Sequence, residues 1–269
     1  MRYLALAVLV GCHGANPGVE VDAAAAPDAA SCVWSVAGEL TEFADAAVEH
    51  DPTETADRLE LYYTGDGAYG EILFASRTSV DAPFVRQPLP AFDDPDAVES
   101  SPAISGDGLL LVFASDRGGR LAIYESTRAS RDASWSAPQP ALGGGTWEVG
   151  AGGIGMTTDA LDVVFPLETS LHCFTRHGTD QPFMPNCDDL FVMPSPAFDD
   201  AYTTIYYNCS TGICARPLTS WPTFKTPGAE QHLAIGTASG AADPWVEPGG
   251  DTILFAADHS LFRTTRVCN

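Results

Sequence analysis

Five carboxylates stand where they could act together. Glu49 with Asp51, Glu99, Glu148 and Asp243 precede or begin apolar segments that recur along the chain. Two carboxyl groups held about 5–9.5 Å apart can serve as acid and base, or acid and nucleophile, on a glycoside. Several together offer the oxygen ligands that calcium prefers. A third alternative is plainer: acids in tight turns hydrogen-bond their own backbone and serve no ligand. The sequence leaves all three open. It supplies no other catalytic signature, with no Gly-x-Ser-x-Gly elbow, no His-Glu-x-x-His and no phosphate-binding glycine loop.

The elements that would position these acids come from internal repetition. An aromatic residue closes an apolar strand at Tyr63, Phe113, Phe165, Tyr207 and Phe255. Eleven residues before four of them sit Pro52, Pro102, Pro196 and Pro244, while the third copy departs, with Gly152 thirteen residues before Phe165. Turn residues lie between, as in "SGDG" and "PGGD", and an acid follows the aromatic at Asp66, Asp116, Glu168 and Asp258. Each copy reads as a strand from the proline, a strand ending at the aromatic, a third such as "LAIYEST", and a fourth after Phe84, Trp135, Phe183 and Trp221. Four strands in 42–52 residues make one propeller blade, which cannot bury its faces alone. Residues 33–52 match 83–102 at an offset of 50, pairing Trp34 with Phe84 and Pro52 with Pro102. The N-terminal segment is therefore a fourth strand without its own blade, and the last copy stops after its third. The expectation is an all-β fold, a single β-propeller over 32–269 of five four-stranded blades, closed by the N-terminal strand.

The second copy carries Ser101-Pro102, Ser105, Asp107-Gly108 and Ser115-Asp116-Arg117. It resembles the WD-repeat-like propeller repeats of TolB-type periplasmic proteins; the other four copies share only the skeleton. TolB itself has six blades and a separate domain with no counterpart here, so its partners do not transfer. The enzymatic alternative resembles the five-bladed arabinanase-like hydrolases.

Residues 1–11 read as a signal peptide, with Arg2 followed by a short apolar run from Tyr3 to Val10. Leu9-Val10-Gly11-Cys12 resembles the lipobox of bacterial lipoproteins, which implies cleavage before Cys12 and lipid on that residue. His13, rather than Asp, in the next position favours the outer over the inner membrane. Residues 12–31 then form an Ala/Pro/Asp-rich tether. Six further cysteines remain, and the blade arrangement prefers Cys32–Cys268, Cys173–Cys187 and Cys209–Cys214 as disulfides. A competing reading takes His172, Cys173, His177 and Cys187 as zinc ligands.

Formal net charge is -23, from 36 acidic and 13 basic residues. Nucleic-acid binding is excluded, because it needs clustered Lys and Arg. The sequence thus predicts a monomeric, lipid-anchored cell-envelope propeller, in the periplasm or at the cell surface. It would bind an envelope protein or a glycan without catalysis and without a cofactor, calcium at the channel mouth excepted. A glycoside hydrolase using the channel carboxylates is the alternative.

Overall fold

The computed structural model describes residues 32–268 except 44–47, 66–69, 89–93, 95, 143–152, 168–169, 187–192, 200, 219–227 and 236–239. The leader, Cys12 and the tether lie outside the described residues, as do Glu148, Cys187 and Trp221.

Five antiparallel four-stranded sheets stand in a ring. Blade 1 runs from its inner strand outwards as Glu49–Glu54, Glu60–Gly65, Glu71–Ser76 and Val85–Arg86. Blade 2 is Glu99–Ile104, Leu110–Ser115, Ala122–Thr127 and Gln139–Pro140. Blade 3 is Gly155–Met156, Asp162–Leu167, Ser170–Thr175 and Met184–Pro185. Blade 4 is Ala197–Phe198, Thr204–Cys209, Gly212–Pro217 and Gln231–His232. Blade 5 takes Ala242–Val246, Thr252–Ala257 and Ser260–Cys268 from the C-terminus and Cys32–Trp34 from the N-terminus. The protein is a five-bladed β-propeller closed by its own N-terminal strand. Gly38–Glu39 adds a second short pairing to the same C-terminal strand.

The repeated aromatics explain why blades face one another. Each packs into a separate core cluster shared with the preceding blade: Tyr63 between blades 5 and 1, Phe113 between 1 and 2, Phe165 between 2 and 3, Tyr207 between 3 and 4, Phe255 between 4 and 5. Five seams, each with one buried repeat aromatic, make the ring self-consistent. Full burial of each such ring is worth about 1.5–3 kcal/mol.

A second repeated device is invisible in the proline and aromatic spacing. Arg77, Arg128 and Arg176 each follow a third strand and lie over an aromatic seven residues on, at 4.3 Å for Phe84, 4.6 Å for Trp135 and 4.6 Å for Phe183. Each Nε donates to a turn carbonyl, of Arg58, Gly108 and Ala160 respectively. Each Nη1 donates to the carbonyl three residues further on, at Val80, Arg131 and Thr179. The guanidinium thus clamps the turn between the first two strands to the loop leading into the fourth.

Closure is covalent. Cys32 and Cys268 are cross-strand partners in blade 5 and form a disulfide across 236 residues of sequence. Cys209 and Cys214 form a second. Cys173 is also disulfide-bonded, while Cys187 falls outside the described residues. Oxidised Cys173 has no thiolate for zinc, and His172 stacks on Phe165 at 6.0 Å.

Candidate functional site

The inner strands of all five blades line one narrow channel, with about 40 Å³ of free space. That is room for a few waters or a hydrated ion. Five residues, one per blade, share one repeat position beside it: Asp51 (φ 50°), Gly153 (60°), Ser195 (50°) and Asp243 (53°), which line the channel, and Ser101 (52°), next to the lining Pro102. All are left-handed, a region unusual for residues with a side chain. Four of them precede proline, which disfavours helical φ/ψ at the residue before it. In blades 1, 2 and 5 the inner strand's pairing slips at this position, between His50 and Thr53, Ser100 and Ala103, and Ala242 and Trp245.

Gly153 and Ile154 occupy the ring and proline positions in blade 3, twelve and eleven residues before Phe165. The spacing is therefore kept in all five copies. The departure assigned to Gly152 in the sequence is a replacement of proline by Ile154, not a change of length. Glycine at the ring position matters locally: a Cβ on Gly153 would stand 2.8 Å from the Ser195 Cα.

The two aspartates belong to neighbouring blades, 5 and 1. One carboxylate oxygen of each and a ring nitrogen of His50 all lie within 4.8 Å of one another. Asp51 Oδ2 accepts from Ser101 Oγ (3.1 Å) and Thr64 Oγ1 (3.4 Å), and lies 2.9 Å from His50 Nδ1. Asp243 Oδ1 accepts from Ser195 Oγ (2.6 Å) and Asn208 Nδ2 (2.9 Å). Thr64 and Asn208 occupy the same repeat position, directly after the aromatic. Each latches the next blade, taking the Ser101 amide at 2.9 Å and the Asp243 amide at 2.6 Å. Asn208 also begins a glycosylation sequon, but its side chain is engaged inside the ring.

Burial, then the nearby Asp51 charge, push the Asp243 carboxyl above its usual range, against hydrogen bonds from Ser195 and Asn208 and the His50 charge. Among the described residues neither aspartate has an Arg or Lys ion-pair partner. The buried glutamates all do: Glu49 with Arg86, Glu54 with Arg263, Glu60 with Arg128 and Glu99 with Arg117. Among the described residues the channel pair has His50 as its ion-pair partner.

Glu49 and Glu99 thus stand apart from Asp51 and Asp243. They begin inner strands, yet their side chains are buried against arginines that also lie over aromatics, Arg86 over Phe43 and Arg117 over Phe113 and Tyr124. They anchor blades. His50, Ser101 and Ser195 join the site instead, and only the ring position twelve residues before each aromatic could have marked the two serines.

At the far end of the channel the turns of blades 1–3 interlock, Ala56 N donating to Gly106 O (2.9 Å) and Gly106 N to Thr158 O (2.8 Å). Thr55, Ser105 and Thr157 each donate to the aspartate two residues on. These acids, Asp57, Asp107 and Asp159, are turn residues.

No family model matches the chain. No curated protein matches it in sequence. Solved structures do match its fold. An α-L-arabinofuranosidase from Podospora anserina, in complex with cellotriose, aligns with a TM-score of 0.54 at 11% identity, covering 86% of this chain and 95% of that one. TolB from Acinetobacter baumannii aligns at 0.50 and 11%, covering 82% of this chain; the chain spans about half of that structure's length, 55%. A gluconolactonase from Xanthomonas campestris aligns at 0.50 and 11%, covering 86% and 89%. Propellers of very different roles share this architecture, and at such identities the likeness is one of fold alone.

Proposed function

We propose that this protein is a non-enzymatic binding propeller of the cell envelope, anchored through Cys12, and that Asp51 and Asp243 hold a divalent cation such as calcium at the channel mouth. The observation that carries this reading is the carboxylate pair at the seam of blades 5 and 1, without an Arg or Lys partner among the described residues and beside so little free space. Oxygen ligands from two carboxylates, with Ser101 and Ser195 hydroxyls adjacent, suit a hard cation. The bound ion would neutralise the repulsion at that seam and so fasten blade 5 to blade 1. The propeller then presents a fixed face to a protein or glycan of the envelope, with the tether holding it off the membrane.

The glycoside hydrolase alternative needs a sugar ring between two carboxylates. A free space of about 40 Å³ between the inner strands favours an ion over a sugar ring. The test is a thermal melt of the purified protein with calcium, with a chelator and with a panel of bacterial and plant glycans, alongside a turnover assay on the same glycans. A ligand at 100 times its dissociation constant adds about 2.7 kcal/mol. Stabilisation by calcium, reversed by chelator and without turnover, supports the proposal. Glycan turnover lost in Asp51→Asn and Asp243→Asn would replace it with the hydrolase.

A further inference from the structure

The Cys209–Cys214 disulfide closes a hairpin that needs little help. Cys209 and Gly212 are already paired across the turn, and the bridge spans five residues of sequence. A loop that short gains only about 2 kcal/mol in the chain-entropy model, under half of what the ring-closing bridge gains. What surrounds it is more informative. In the register of blade 4, Cys214 stands directly opposite His232 on the outer strand. His232 Nδ1 lies 3.2 Å from Cys214 Sγ and 3.8 Å from Cys209 Sγ. Its other nitrogen, Nε2, faces Glu230 Oε1 at 3.6 Å. Glu230 is fixed in turn by the Tyr207 hydroxyl and by Arg216 Nη2 at 3.1 Å, which hold its carboxyl below the usual range.

These distances resemble a metal's coordination edges. Zinc takes sulfur at about 2.3 Å and imidazole nitrogen at about 2.0–2.1 Å, so the S···N edges of a tetrahedral site are about 3.5 Å long. The two edges here bracket that value. Metal-bound histidine characteristically shares its second nitrogen with a carboxylate, the role Glu230 is placed to fill. The Cys32–Cys268 bridge belongs to neither of the metal-ligating clusters found among the described residues.

We infer that the Cys209–Cys214 pair, once reduced, forms with His232 a site for a thiolate-binding divalent metal, zinc above all, oriented by Glu230. In the resting protein the disulfide keeps both sulfurs from coordinating. An external dithiol supplies two electrons and two protons, leaving as its own disulfide while Cys209 and Cys214 become thiols. Metal binding releases those two protons. The sulfurs part to about 3.8 Å, the tetrahedral S···S edge. The Thr211 hydroxyl, now bonded to His232 Nδ1, turns away or takes the fourth position. The site is independent of the channel and of any cation there.

The test uses the purified full chain with Cys12→Ser, which removes the cysteine outside the three predicted pairs, and Co²⁺ as the probe. The phosphine-reduced protein should bind one Co²⁺ per chain with a thiolate-to-cobalt charge-transfer band that the oxidised protein lacks. That band should vanish in Cys209→Ser/Cys214→Ser. His232→Ala leaves the hairpin bridge intact, so it folds as the parent does; once reduced it should bind Co²⁺ at least tenfold more weakly. Glu230→Gln should weaken binding about tenfold. A reduced protein that binds no Co²⁺, a band that persists in the double serine variant, or unchanged binding in His232→Ala would overturn the inference.

Discussion

Replacing Asp243 by asparagine should make the protein more stable, an unusual expectation for a buried, hydrogen-bonded residue. Two carboxylate oxygens within 4.8 Å repel by about 3.5 kcal/mol at an effective dielectric of 20 and by about 1 kcal/mol in bulk water. For a pair that is mostly but not fully buried, about 2 kcal/mol is a fair centre. The substitution keeps the local structure. Asparagine Oδ1 still accepts from Ser195 and Asn208, its amide can donate towards Asp51, and asparagine tolerates the left-handed φ of 53°. A gain of about 2 kcal/mol raises Tm by about 4–8 °C in a domain of this size. The assay is a melt at pH 8 in chelator. The pH dependence carries the same sign. With its carboxyl raised in the folded state, Asp243 favours folding below its unfolded value, and that contribution is lost as pH rises through the folded value. The wild type minus variant difference should therefore grow more unfavourable from about pH 4 upwards. Calcium should stabilise the wild type and leave the variant nearly unchanged. A variant that melts lower than wild type in chelator, or that keeps the full calcium response, would refute the electrostatic reasoning.

Three further perturbations probe the frame around the site. Gly155→Ala would place a Cβ 2.2 Å from the Pro196 carbonyl oxygen, where the inner strands of blades 3 and 4 meet. Urea unfolding should show a loss of at least about 1–3 kcal/mol. Cys32→Ser/Cys268→Ser should cost about 5 kcal/mol against about 2 for Cys209→Ser/Cys214→Ser, and the reverse order in urea midpoints would contradict the ring-staple role. Arg117→Met removes the ion pair to the buried Glu99 carboxylate and should cost about 3–5 kcal/mol. Adding Glu99→Gln should recover most of it, as a double-mutant cycle would reveal.

The blade count and the closure were legible because they follow from burial. An aromatic that must fill a seam recurs at a constant distance from the start of its blade, and an unpaired strand at one end has to meet an unpaired edge at the other. The site was only partly legible. Asp51 and Glu49 are two residues apart and look equivalent in the sequence, yet the slipped pairing after His50 turns one to the channel and leaves the other against Arg86. A pleat of period two gives no warning of such a bulge. The proline repeat also misplaced the start of blade 3 at Gly152, because Ile154 keeps the spacing without the proline ring that marks it. The arginine clamps and the Thr64 and Asn208 latches depend on which turn meets which loop, a matter of blade stacking rather than of local pattern. His232 and Cys214 lie eighteen residues apart, and only the register of the outer strand makes them neighbours.

The central claim is that the seam of blades 5 and 1 seats a cation, and calorimetric titration of calcium into chelator-stripped protein tests it most directly. The account predicts saturable binding of one ion per chain, abolished by Asp51→Asn and by Asp243→Asn and untouched by Glu49→Gln. Absence of binding, or binding that survives both aspartate substitutions, would contradict it.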